Sequence, residues 1–295
     1  MANVPITSLP QASTVAKTDQ LILQGNSTQR ATLAKILADL GVVNPDTAQD
    51  DMLQLTTPAG AAAHNCVYRG KALGGSVTSD QWAAIKAGTF KDLYLGDYWS
   101  IGGVDYLIAA FNYWFSCGDT ACNTNHLLVV PRDNMYNAKM NDTNITTGGY
   151  VGSDMYKNGL TKAKTAIGSA FGSAHILNHR QHLTNAVTNG APTGTDWYDS
   201  TVELMNENMV YGGRQFSPMP SGATDSWITC RNITIDKSQL PLFCLAPWLI
   251  CTKSWYWLRD VASAVGFAGA ASNGSTIRCS AGMDYGVRPV VGLIG

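Results

Sequence analysis

Charge is what this sequence has least of. Lys, Arg, Asp and Glu make up 14% of its 295 residues, against roughly a quarter in an average globular chain. The 20 basic and 21 acidic side chains nearly cancel, leaving a net charge of −1, and no Lys/Arg cluster stands out. A surface that neutralises phosphates needs such a cluster, so the balance argues against nucleic acid as the main partner. No run approaches the roughly 18 apolar residues of a membrane-spanning helix, and no membrane insertion is expected. Met1 to Pro5 carries neither a basic nor an apolar signal region, so synthesis in a cytoplasm without the standard export route is expected.

Chemical motifs are missing too. There is no GxSxG elbow, no HExxH, no P-loop lysine and no EF-hand loop. The cysteines are odd in number and irregular in spacing: Cys66, Cys117, Cys122, Cys230, Cys244, Cys251 and Cys279. Without a CxxC pair a structural zinc site is not expected. Cys117 and Cys122 are close enough to bridge a loop, and the others read as scattered buried thiols. No cofactor is expected, although plentiful Asp and Asn leave a calcium site open.

What is present is core material and glycine. Apolar residues are 45% of the chain, with 29 glycines and 8 tryptophans. That mixture suits β-rich extracellular and surface proteins. Residues 1–45 stand apart. A short strand is expected around Leu21 to Leu23. A helix follows, with Thr32 as cap, Gly41 as stop and Leu33, Ile36, Leu37 and Leu40 on one face. So small a module holds no core of its own and has to pack on something larger. Residues 46–77 read as a connector, with a short helix from Asp46 to Leu55.

From Thr78 the signals strengthen. Thr78 to Gly88 has a hydroxyl cap, an acidic first turn and a glycine stop, which predicts a helix. Leu93 to Ile101 and Val104 to Phe111 flank Gly102 and Gly103, which predicts a β-hairpin. Leu127 to Pro131 reads as a buried strand, Asn158 to Ser169 as a helix, Ala174 to Val187 as helix or turn, and Thr195 to Tyr211 as a second helix.

Three groups of polar residues invite chemistry. His175, His179 and His182 share a face if helical; a polar helix face is the expected use. Gly148, Gly149 and Gly152 read as a plain loop, since GxGxxG order is missing. Asp196, Asp199, Glu203 and Glu207 fall at helical spacing. They would need burial beside one another to serve as acid and base, and a solvated helix face is expected.

The closing stretch carries the main expectation. Trp255 and Trp257 point the same way in an extended segment, and Val287 to Ile294 has the character of a buried strand. Between them, Gly266 to Gly274 reads as too small and polar for core. Two strands holding a long loop make a display scaffold. The candidate ligand residues are Arg259, Asp260, Asn273, Ser275, Thr276, Arg278, Asp284 and Tyr285, with Trp255 or Trp257 as a stacking platform.

Two resemblances give this pattern a context. Ile6 to Pro10, Asp19 to Leu23, Thr28 and Thr32 to Ile36 resemble the N-terminal attachment module of bacteriophage tail and head fibre proteins. Trp255 to Arg259, followed by Tyr285 to Val290 with its Gly-Val-Arg-Pro run, resembles the end of C-type-lectin-fold domains in phage and bacterial surface proteins. That group includes the variable proteins of diversity-generating retroelements and shares its fold with formylglycine-generating enzymes. The resemblance implies an α+β chain: an attachment module (1–45), a connector (46–77) and a C-type-lectin-like domain (78–295). It further implies a virion structural protein, a tail or head fibre assembled in the host cytoplasm. Such a protein binds virion neighbours through its N-terminal module and a host-surface glycan or protein through its head. A homotrimer is expected. The calcium motifs of animal sugar-binding lectins and the catalytic cysteine pair of the formylglycine enzymes have no counterpart here, so neither activity is implied, and Arg288 is expected to tie loop carbonyls. A purely architectural decoration protein is the alternative. An enzyme reading, a glycan hydrolase or formylglycine-like oxidase, rests on Glu203 or Glu207.

Overall fold

Helices and strands are both built by local signals that satisfy backbone groups at their ends. The computed structural model describes residues 20–23, 29–32, 48–216 and 239–295. The chain divides into two units, Met1–Thr57 and Pro58–Gly295. In the first, β1 (Gln20–Leu23) pairs antiparallel with β2 (Gln29–Thr32), Gln20 opposite Thr32. Thr32, expected as a helix cap, therefore ends a strand. The helix expected over Leu33 to Leu40 lies outside the described residues. Helix α1 (Ala48–Thr56) occupies the expected connector helix.

The second unit is mixed α+β. It contains α2 (Ala61–His64), β3 (Ala72–Gly74) and α3 (Ser79–Ala87). Helix α3 starts at a complete capping box. Thr78 Oγ1 accepts from Gln81 N at 3.2 Å and Gln81 Oε1 accepts from Thr78 N at 3.0 Å, which satisfies two of the donors a helix start leaves open. Gly88 closes it at φ +69°. Strands β4 (Tyr98–Ile101) and β5 (Val104–Phe111) pair across Gly102 and Gly103, both at positive φ, as a tight hairpin requires. Next come β6 (Leu127–Pro131), β7 (Tyr136–Lys139) and α4 (Thr161–Phe171).

The middle of the chain departs from expectation. Residues 174–187, read as helix or turn, form one short 3₁₀ turn (Ser173–His175) and then strand β8 (His179–Thr188). Residues 195–211, read as one helix, form β9 (Ala191–Ser200), β10 (Val202–Leu204) and a five-residue helix α5 (Glu207–Tyr211). The turn explains both corrections. Asn189 and Gly190 take φ +52° and +78°, and Asn-Gly is the strongest short hairpin signal. Burial then alternates along His179, Arg180, Gln181, His182 and Leu183, the period of a strand. The three histidines do not share a helix face, and Asp196 and Asp199 belong to β9.

Helix α6 (Pro241–Leu245) and a 3₁₀ turn (Pro247–Ile250) precede β11 (Tyr256–Ser263), β12 (Gly266–Ala270), β13 (Thr276–Ser280), β14 (Asp284–Val287) and β15 (Pro289–Leu293). The tract Gly266 to Gly274, expected as non-core loop, is therefore partly a fully buried strand. Its small residues are what the packing requires. A Cβ on Gly266 would meet Cys279 O at 2.3 Å, and one on Gly269 would meet Cys279 Sγ at 2.6 Å.

Two sheets result, in the orders β10-β15-β6-β5-β4-β3 and β13-β12-β11-β14-β7, beside the β8–β9 ribbon. The apolar core forms three layers. Trp99, Ile108, Phe111 and Val291 of the six-stranded sheet pack on Ile85 of α3 and Ile167 and Phe171 of α4. Leu107, Leu128 and Val290 of that sheet meet Tyr256, Leu258 and Ala268 of the five-stranded sheet, with α5 and α6 between. Trp257, Phe267 and Val287 on the far side of the five-stranded sheet pack on Tyr150, Met155 and Leu160.

The chain passes between the sheets four times, twice by long routes (β7 to β10 and β10 to β11) and twice by short crossings, from β6 to β7 and from β14 to β15. The second short crossing is the Gly-Val-Arg-Pro run itself. Arg288, fully buried, binds the two short crossings together: its Nε donates to Pro131 O at 2.9 Å, and Met135 N donates to Val287 O at 2.9 Å. The same guanidinium reaches Ile250 O and the Tyr256 hydroxyl at 3.4 Å and lies over the Phe243 and Tyr256 rings. Cation–π contact and oxygen acceptors replace part of the water around the buried charge, while Nη2 has no hydrogen-bond partner among the described residues. Among the described residues no helix is long and apolar enough to cross a membrane.

Candidate functional site

The period of two in a strand sorts the expected ligand residues onto opposite faces of the five-stranded sheet. On β11, Tyr256 and Leu258 enter the core between the sheets, while Trp257 and Val261 enter the core on the far side. Asp260 falls with the first set. On β13, Thr276 stands opposite Ala270 and Arg278 opposite Ala268, and both alanines belong to the inter-sheet core. Thr276 and Arg278 therefore share the Asp260 side, while Trp255 and Tyr285 pack on the other.

On the Asp260 side a polar cluster assembles. Asp260 Oδ2 accepts from Glu207 N at 2.6 Å, and Arg214 approaches Asp260 Oδ1 at 3.5 Å. Glu207 Oε1 accepts from Phe216 N at 3.0 Å and from Thr276 Oγ1 at 3.4 Å. Arg278, exposed, lies over the Phe216 ring at 5.1 Å. Tyr211 OH donates to Gly274 O at 3.1 Å, in the β12–β13 turn, and burial there raises the Tyr211 hydroxyl pKa well above its usual range. In that turn Asn273 Oδ1 accepts from Ser275 N and Oγ at 3.0 and 2.7 Å. Exposed Asn273, Ser275 and Arg278 thus lie on the strand and turn next to buried Glu207 and partly buried Asp260.

On the opposite face, Trp255 and Tyr285 stack at 5.1 Å, both partly exposed, with Asp284 exposed beside them. Trp255 O accepts from Gly286 N and Asn134 Nδ2, which fixes the strand approach. Trp257 is fully buried, its Nε1 donating to Ala138 O at 2.8 Å. It packs under Tyr285 and offers no stacking platform to a ligand. Arg259 is likewise buried and binds Gln181 Oε1 and Leu204 O. The bulky and charged members of β11 are spent on the interior because this strand is central in its sheet.

The acidic set read from spacing separates. Glu203 is buried apart from the other three, with Tyr150 OH at 2.7 Å and Ser200 Oγ at 3.2 Å. Burial raises its carboxyl pKa. Asp199 is exposed beside Arg180. Glu207 joins Asp260 instead. Arg214 and Phe216 went unnoticed in the sequence, since their partners lie far along the chain and no local pattern marks them. Cys117 and Cys122, close enough in sequence to bridge a loop, are not joined by a disulfide. Among the described residues no group of three or more His, Cys, Asp or Glu is gathered for a metal ion. Compared with protein-family models, curated proteins and solved structures, the chain matches none.

Proposed function

We propose that the chain is a bacteriophage virion structural protein, a tail or head fibre, whose residues 78–295 form a C-type-lectin-like head that binds a host-surface glycan or protein. One observation carries the reading: Asn273, Ser275, Thr276 and Arg278 stand together at an edge strand and its turn, next to Glu207 and Asp260, on a sheet held by buried Arg288. Exposed polar groups on a rigid frame give adaptable contacts, and an Arg on an aromatic ring gives an anchor. The Gly-Val-Arg-Pro crossing is the feature that resembles the lectin-fold group. Residues 1–45 are the virion attachment module in this reading, and calcium is not required by it.

Removing residues 260–284 would not test the idea, because that span includes the fully buried strand β12. Point changes do. Arg278→Ala with Asn273→Ala in the phage should lower adsorption to host cells about tenfold or more, the loss of one or two good contacts, with particle assembly unchanged. Unchanged adsorption by normally assembled particles rejects the receptor role.

A second reading, an architectural protein that binds only virion neighbours or its own copies, draws on the exposed apolar residues Leu245 and Trp248, with Tyr68 meeting Trp248 edge to face at 5.8 Å. An apolar patch of this kind suits subunit packing.

A further inference from the structure

The connection between β5 and β6 places two cysteines opposite each other. Cys122 N donates to Cys117 O at 2.9 Å, and Ser116 N donates to Cys122 O at 2.6 Å. Ser116 and Cys117 thus stand together against Cys122, a two-against-one bulge, with Ser116 at φ +60° and Gly118 at φ +103°. Residues paired across a ladder have Cα atoms about 5.5 Å apart and Cβ atoms about 4.5–5.5 Å apart. A disulfide spans Cα separations of about 4.4–6.8 Å and Cβ separations of about 3.5–4.5 Å. The backbone bonds therefore supply most of the approach, and a small closing movement completes it. Cys117 Sγ lies 3.4 Å from Phe115 O and Cys122 Sγ 4.0 Å from Thr124 O. Thiols are weak donors, so turning away from those carbonyls gives up little.

The two cysteines differ in access. Cys117 is 6% exposed, whereas Cys122 is half-buried and lines an open cleft of about 420 Å³ between residues 120–124 and 177–180. The loop between them, Gly118 to Ala121, reaches β8 through Asp119, which accepts from Arg180 Nε and Nη2 at 2.8 and 3.0 Å. Both partners of that ion pair keep more than a quarter of their side chains in solvent, where salt screens it.

We propose that Cys117 and Cys122 form a reversible disulfide that locks the 118–121 loop and fixes one wall of the cleft. The oxidant is a low-molecular-weight disulfide. The Cys122 thiolate attacks one of its sulfurs and expels the first small thiol. Cys117, its proton lost to water, then attacks the Cys122 sulfur of the mixed disulfide and expels the second. Two protein thiols become one disulfide while one small disulfide becomes two small thiols. A reducing cytoplasm keeps the pair open and oxidising surroundings close it. Burial pushes the Cys122 thiol pKa up, so closure is slow at neutral pH and quickens as pH rises. The lock goes beyond the binding role proposed above, and the two fail separately.

The full chain, incubated with glutathione at set ratios of reduced to oxidised form, then acid-quenched, denatured, alkylated and digested with trypsin, tests it. Residues 92–132 form one tryptic fragment whose two cysteines are this pair. With reduced glutathione in large excess both should be alkylated. As the oxidised fraction rises the fragment should lose both labels together and two hydrogens in mass, and carry no glutathione. Cys117→Ala should leave Cys122 holding one glutathione. Cys122→Ala should leave buried Cys117 reacting about tenfold or more slowly. Amide hydrogen exchange at residues 118–121 should slow severalfold on closure, because the cross-link removes chain freedom. Labelling of both cysteines at every ratio, a lasting glutathione adduct on Cys122 of the unaltered chain, or a bridge from either to another cysteine overturns the disulfide. A bridge that leaves exchange at residues 118–121 unchanged overturns the lock.

Discussion

At the scale of single residues, buried cationic and imidazole groups do most of the specifying. Arg288 sits between two rings and three oxygens, with no carboxylate among its contacts with the described residues. Arg288→Ala leaves a cavity and orphans Pro131 O, and should cost about 3 kcal/mol. Arg288→Met keeps most of the volume without a charge to desolvate, and should stay within about 1.5 kcal/mol of wild type. Urea denaturation of both variants checks the order. His126 gives a pH signature. Its Nε2 accepts from Trp114 N at 3.0 Å and its Nδ1 meets Thr124 O at 2.8 Å, so the folded site needs the neutral ring. Burial lowers its pKa from 6.5 to about 4. Below pH 6.5 the unfolded chain takes up a proton that the folded chain refuses. Stability from this group is therefore full above 6.5 and falls by about 1.4 kcal/mol per pH unit toward pH 4. His126→Asn should flatten that part of the stability profile relative to wild type; comparing the two cancels the carboxylates, some of which move the opposite way. Parallel profiles between pH 6.5 and 4 would contradict the assignment.

At the scale of elements, caps and turns decide more than periodicity. The Thr78–Gly88 helix and the Gly102–Gly103 hairpin are legible because their end signals agree with their apolar pattern. The β8–β9 ribbon was misread because polar residues at three- and four-residue spacing imitate a helix, while the decisive Asn189–Gly190 pair lies outside that pattern. Gly190→Ala should destabilise the protein by about 2 kcal/mol or more, because φ is +78° and the added Cβ would meet Ala264 N at 2.5 Å. Loss of cross-strand contacts between Val187 and Pro192 by NMR should accompany it. Thr78→Ala, which removes half of a capping box, should cost only about 1 kcal/mol.

At the scale of the whole molecule, the organising device is the pair of short chain crossings between two sheets, at residues 131–136 and 287–289. The first carries the chain from β6 to β7 and the second returns it from β14 to β15, while the order of the five-stranded sheet places β13 at an edge with its turn in solvent. The Arg278 cluster depends on that placement and on α5, from which Glu207 reaches Asp260 and Thr276. The expected homotrimer belongs to this scale. Light scattering of the purified chain should give three times 31.5 kDa. A monomer in solution together with single copies on the particle refutes it.

Local pattern by itself determined that helices and strands are mixed, and with it the capped helix at Thr78, the glycine hairpin, the buried strand at Leu127 and the tying role of Arg288. Each depends on neighbours within a few residues or on a side chain too large and polar to be buried without partners. Tertiary structure alone decided which side of the sheet each residue of β11 and β13 occupies, and that Trp257 and Arg259 are interior. It also decided that Gly266 to Ala270 is core and that Glu207, Arg214 and Phe216 meet Asp260 and Arg278. Those outcomes turn on which strands become central, and a strand becomes central only through partners distant in the chain. Glycine and alanine read as loop in isolation, but between two crowded strands they are the residues that fit.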